Sequence, residues 1–127
     1  MTMTKPTLAT IATEFLSMCA AGEVRAAYAR HVADGFVHHN SWYPADREAL
    51  LVAMEQSAAQ EPNKAFTVRQ AIASADRVAT LSHLQRAGSG PAYAVVHMLL
   101  FDCDRIVEMW HIAQEIPADS PNALGMF

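Results

Sequence analysis

Cysteine is scarce in this chain: two residues, Cys19 and Cys103, in a total of 127. They stand far apart and match neither a metal knuckle nor a redox pair. Such thiols read as reduced core or surface groups and place the protein in the cytoplasm. Charge is thin as well, at 17% of residues with a net value of -4. There is no basic stripe, so nucleic acid is not an expected partner. No apolar run is long enough to span a membrane. Internal repeats and low-complexity tracts are missing too. What remains, 52% apolar residues over 127 positions, fits one packed soluble domain, residues 1–127, with a real core.

The N-terminal third reads as helical. Leu8 to Ala21 is apolar and ends in Cys-Ala-Ala-Gly, a little like a lipoprotein signal. Glu14 in its middle and the helical recurrence of Ile11, Phe15, Met18 and Cys19 argue instead for an amphipathic helix that stops at Gly22. A short helix follows from Val24 to His31. Phe36 to Pro44 is a strand or extended loop dense in aromatic and polar groups. Asp46 caps a third helix, Arg47 to Ala59, with a buried stripe of Leu50, Leu51, Met54 and Ala58.

Strands fill the rest: Phe66 to Ile72, Val78 to Arg86, Tyr93 to Phe101 and Ile106 to Glu115, the last two forming a long hairpin. Helices followed by strands predict an α+β fold, with about three N-terminal helices on one side of a curved, mostly antiparallel sheet that encloses a pocket. A three-residue turn at the hairpin tip places Tyr93, Val95, His97, Leu99 and Phe101 on one face with Val107, Met109, His111 and Ala113. His97 then faces His111, and a slip of one residue separates them. Val96, Met98, Leu100, Ile106, Trp110 and Ile112 make a second apolar face. A sheet apolar on both sides needs two covers. The helices supply one, and a homodimer burying the Trp110 face supplies the other.

Certain residues carry a resemblance. Phe36-Val37-His38-His39-Asn40, Leu81-Ser82-His83, Ile106 through His111 with Gln114, and the tail Asn122 through Phe127 are similar in order and spacing to the SnoaL-like polyketide cyclases and aldol-condensation-type proteins of the nuclear transport factor 2-like superfamily. The resemblance implies a cone-shaped fold, a small-molecule ligand and a last-strand aspartate as general acid/base. Here that position is His111, and His97 stands where the partner strand often has aspartate. Histidine is the better base near neutral pH.

The chemistry so implied is cofactor-independent aldol-type cyclisation or isomerisation of a mostly apolar carbonyl compound. It needs a base and donors for the enolate oxygen, with no covalent nucleophile. His111 is the expected base and His97 its assistant. His39, Asn40, His83 and Met109 are expected at the substrate, and Trp42 and Tyr43 at the mouth. The plainer alternatives are a non-catalytic ligand-binding module, with His97 and His111 bonded to each other and His39, Asn40 and His83 structural, or a zinc site on His39, His83, His97 and His111. By alternation His38 points away from His39, toward solvent. His31 reads as a surface residue at a helix C-terminus.

Overall fold

The structure, a computed structural model, describes residues 5–127. The domain range read from the sequence includes residues 1–4, which lie outside the described ones. The elements run α1 (Leu8–Ala20), α2 (Val24–His31), β1 (Val32–His39), α3 (Arg47–Gln60), β2 (Ala65–Ser74), β3 (Arg77–Gln85), β4 (Ala92–Asp102) and β5 (Arg105–Glu115). Thr7 starts α1 by accepting the Thr10 N–H on its hydroxyl. Gly22, at φ 90°, ends it: its N–H donates to the Cys19 carbonyl and the Glu23 N–H to the Met18 carbonyl, the double bond of a left-handed helix stop. Asp46 caps α3 through the Ala49 N–H. Among the described residues no helix is long and apolar enough to cross a membrane.

Three helices pack on an open five-stranded mixed sheet of order β1-β5-β4-β3-β2, an α+β arrangement. β1, inserted between α2 and α3, pairs parallel with β5, and the other three pairings are antiparallel. The core lies between the helices and the inner sheet face: Phe15, Leu16 and Cys19 of α1, Tyr28 of α2, Leu50 and Leu51 of α3, against Val78, Leu99, Phe101, Ile106 and Met109. A chain of rings runs through it, Phe15 to Tyr28 at 5.4 Å, Tyr28 to Phe36 at 6.0 Å and Phe36 to His38 at 6.3 Å.

The hairpin corrects two expectations. Its turn has two residues, Cys103 and Asp104, between the paired Asp102 and Arg105. Phe101 pairs with Ile106 but Leu100 with Glu108, so Val107 is a bulge. The bulge adds back the residue that the shorter turn removes, and His97 still pairs with His111. Ile106 therefore shares the core face with Phe101 and is fully buried, instead of lying beside Trp110.

On the outer face Trp110 is sandwiched. His39 stacks on it at 5.0 Å and 9°, the Arg77 guanidinium lies 5.5 Å from its ring centre, and Glu108 bonds His39. The C-terminal tail folds back over the same face, where Phe127 packs on His83 at 4.9 Å beneath Arg69. Ile72, Val96 and Ile112 remain exposed there. His31 is another correction. Its ring is buried and bonded to Glu14 at 3.1 Å, because α2 lies against α1 rather than facing solvent.

Both two-residue turns begin with a side chain in the left-handed region, Ala75 at φ 54° and Cys103 at φ 56°. That conformation disfavours a residue with a Cβ by about 1–2 kcal/mol, against which glycine's greater chain entropy weighs roughly 0.5–1 kcal/mol. Ala75→Gly and Cys103→Gly should each raise stability by about 0.5–1 kcal/mol in urea unfolding. A loss of stability in both variants would contradict the turn geometry.

Candidate functional site

Between the helices and the inner sheet face lies a cavity of about 180 Å³. Its walls are mainly apolar: Phe15, Leu16 and Cys19 from α1, Leu50 and Met54 from α3, and Phe66, Leu84, Val95 and Met109 from the sheet. Burial pushes the Cys19 thiol up to about 12, so it acts as an apolar wall group and not as a nucleophile. The polar lining consists of Asn40, Tyr43, Ser57, Lys64, His97 and His111.

His97 and His111 sit at the same level of the β4–β5 pair, with His111 Nδ1 and His97 Nε2 3.1 Å apart and the rings at 70°. One nitrogen must donate and the other accept, so a single proton lies between them. His97 is buried, and desolvation, with His111 as a second influence, lowers its pKa from 6.5 to about 3. Desolvation also lowers that of His111, helped by His38. Both rings are neutral at pH 7. The bond occupies Nδ1 of His111 and leaves its Nε2 as the nitrogen free for a ligand.

Behind His97 the polar atoms run out of partners. Its Nδ1, the Thr80 Oγ1 opposite it on β3 and the Ser82 Oγ are all buried with no hydrogen bond. Buried polar atoms normally find partners, in the protein or in ordered water.

The other expected site residues divide. Asn40, Tyr43 and Met109 line the cavity with the imidazole pair, whereas His39, His83 and Trp42 do not. His39 faces outward because β1 pairs it with Trp110 on β5. His83 lies on the outer face under Phe127 because Val78, Thr80 and Ser82 take the inner side of β3 opposite Leu99, His97 and Val95. Trp42 projects into solvent, 83% exposed. The four-histidine zinc arrangement fails for the same reason, since its members occupy opposite faces of the sheet. Among the described residues no group of three or more His, Cys, Asp or Glu side chains is placed to hold a metal ion.

His38 takes the inward place expected of His39. It is 2% exposed; its Nε2 lies 2.6 Å from the Pro44 carbonyl and its Nδ1 accepts the Asn40 N–H at 3.1 Å. Those two bonds fix its tautomer, Nε2–H donating and Nδ1 accepting. They also pin the 40–44 loop to the strand. Asn40 Oδ1 accepts the Trp42 N–H at 3.2 Å, which leaves the Asn40 amide NH₂ for the cavity. The signal for His38 was its neighbour: Phe36, two residues earlier, is a core ring, and strand alternation carries His38 to the same side. Lys64, which strand patterns do not reach because it lies in the α3–β2 loop, also lines the cavity.

The chain belongs to the SnoaL-like domain family, whose model matches residues 12–109. Solved structures with the same fold include a loop-truncation variant of IdmH (22% identity over 85% of this chain and 93% of that one, TM-score 0.72). Wild-type IdmH of Streptomyces antibioticus is 18% identical over 86% and 93%, with a TM-score of 0.70. A SnoaL-like polyketide cyclase of Agrobacterium tumefaciens is 15% identical over 87% and 93%, with a TM-score of 0.72. At these identities the likeness establishes the nuclear transport factor 2-like α+β fold. No curated protein matches the chain.

The lowered histidines set a pH dependence. A histidine whose pKa falls from 6.5 unfolded to about 3 folded adds stability above pH 6.5. That stability is lost as pH drops toward 3, at up to about 1.4 kcal/mol per pH unit. His111, lowered in the same direction, adds to the slope. Denaturant titrations from pH 7 to pH 4 should give a shallower fall for His97→Leu than for the wild type. Equal slopes would mean that His97 is not held neutral.

Proposed function

We propose that the protein is a cofactor-independent acid/base catalyst, acting on a mostly apolar carbonyl compound bound in the cavity by aldol-type cyclisation or isomerisation. The observation that supports it most is the neutral imidazole pair in the apolar wall, with one ring nitrogen free. A base works best when it is unprotonated at the operating pH and surrounded by little water. In this reading His111 Nε2 removes a proton from the carbon beside the carbonyl. The resulting imidazolium donates through Nδ1–H to His97 Nε2, so His97 carries its own proton on Nδ1. His97 is too weak a base to hold the transferred proton. It orients His111 and stabilises the cation. The Asn40 NH₂ donates to the enolate oxygen, and Tyr43, half-exposed at the rim, closes over the substrate.

One observation favours the second reading, a ligand-binding module without catalysis: the two rings bond each other, as structural histidines do. Deuterium uptake separates the two. In D₂O the wild type should speed exchange of the protons beside the carbonyl of 2-tetralone, followed by NMR. His111→Ala should lower the enzymatic rate by roughly 10²–10⁴-fold with binding retained. The rate should be flat through neutrality and fall with acid only below pH 6.5, since burial lowers the His111 pKa. Full exchange in His111→Ala removes that residue from the role. Binding without exchange in the wild type leaves the ligand-binding reading.

The assembly belongs to the same proposal. A second copy of the chain covers the outer face, where Ile112 is 68% and Ile72 64% exposed, and the two unpaired thiols fit a reducing cytoplasm. Ile112→Glu should shift the sedimentation coefficient from dimer to monomer. A monomeric wild type would discard the dimer.

A further inference from the structure

Lys64 is the one cationic side chain in the cavity lining. Its Nζ donates to the Ser57 Oγ at 2.8 Å, and no carboxylate among the described residues lies within ion-pair distance of it. Glu61, the acidic group that acts on it electrostatically, is already engaged. Arg86 holds both Glu61 oxygens, Nε to Oε1 at 3.0 Å and Nη2 to Oε2 at 2.8 Å, and the Ala87 N–H donates to Oε1 at 2.9 Å. Desolvation pulls the Lys64 pKa below its ordinary value, and the Glu61 charge offsets only part of that. A half-buried ammonium with one of its three donors used and no ion-pair partner among the described residues, beside an apolar cavity, is a charge that an incoming anion would satisfy.

We propose that Lys64 is an anion anchor and that the ligands of this cavity are amphipathic acids: an apolar, ring-sized body carrying a carboxylate or an equally acidic oxygen. The body fills the space between Phe15, Met54 and Phe66, and the acidic group displaces water at Lys64 and Ser57. The proposal rests on the cavity being the ligand site, and it gives that site polarity. A neutral imidazole pair acts on one part of the molecule while a cation holds another. Remote binding of this kind orients the reacting atoms. The rival arrangement is a lysine that lays its stem on the cavity wall and keeps its ammonium in water.

Calorimetric titration with a matched pair of probes decides between them. 2-Naphthylacetate and 2-naphthylacetamide share a shape and differ in charge. At pH 7.5 and low salt the wild type should bind the acid about tenfold or more tightly than the amide, the size of one desolvated charge-assisted contact. Lys64→Met should bring the acid to the amide's affinity and leave the amide within about a factor of two. Lys64→Arg should keep most of the preference. Equal binding of the two probes by the wild type, or a preference that survives in Lys64→Met, overturns the anchor. Deuterium exchange into 2-tetralone would then still stand and keep the catalytic reading. Failure of both probes to bind overturns the anchor and the cavity as ligand site together.

Discussion

The pairing register of β4 and β5 is the constraint from which the site follows. A two-residue turn continued without a bulge would oppose His97 with Trp110 and send His111 to the outer face beside Val96. Val107 adds one residue on one strand, and beyond it His97 meets His111 and Leu99 meets Met109. Because side chains alternate with period two, a single inserted residue decides the face of every later side chain on β5. The same register carries β1 along, since its parallel pairing with β5 turns His38 inward with Met109 and His39 outward with Trp110. The imidazole pair on the inner face and the ring stack on the outer face are two results of one bulge.

Electrostatics then gives the chamber its character. Most of its wall is hydrocarbon, which disfavours charge, and the two rings respond by staying neutral. They divide the work their bond creates: the deeper ring is too weak a base to hold a proton, and the shallower one keeps a free nitrogen. Thr80, Ser82 and the far nitrogen of His97 form a small polar layer without partners behind them. That layer sits behind the imidazole pair of the wall.

Most of the architecture was readable from residue pattern. Apolar spacing, the Asp46 cap and the glycine stop located the helices to within a residue or two, and the hairpin histidines met as expected. Failures came where a period-two pattern had two plausible faces. On β3 His83 was expected at the substrate, yet the inner face carries Thr80 and Ser82, because Val78 pairs with Leu99 and strand alternation fixes the rest. In β1 the informative neighbour was Phe36, and the motif His39-Asn40 drew attention one residue too far. Lys64 carried no pattern at all. Its place comes from how the α3–β2 loop closes over the cavity, which depends on tertiary packing.

The bond from His38 to the Pro44 carbonyl has a kinetic consequence. The 40–44 loop borders the cavity, yet the buried His38 ring fastens both its ends, the Asn40 N–H and the Pro44 carbonyl, and the Asn40 side chain braces its middle at the Trp42 N–H. A segment tied at both ends is a poor flap. In the proposed function the gate is the half-exposed Tyr43 ring, and side-chain rotation of that sort takes nanoseconds, against microseconds to milliseconds for a swinging lid. Molecules would then enter and leave this chamber by a gate too fast to limit turnover.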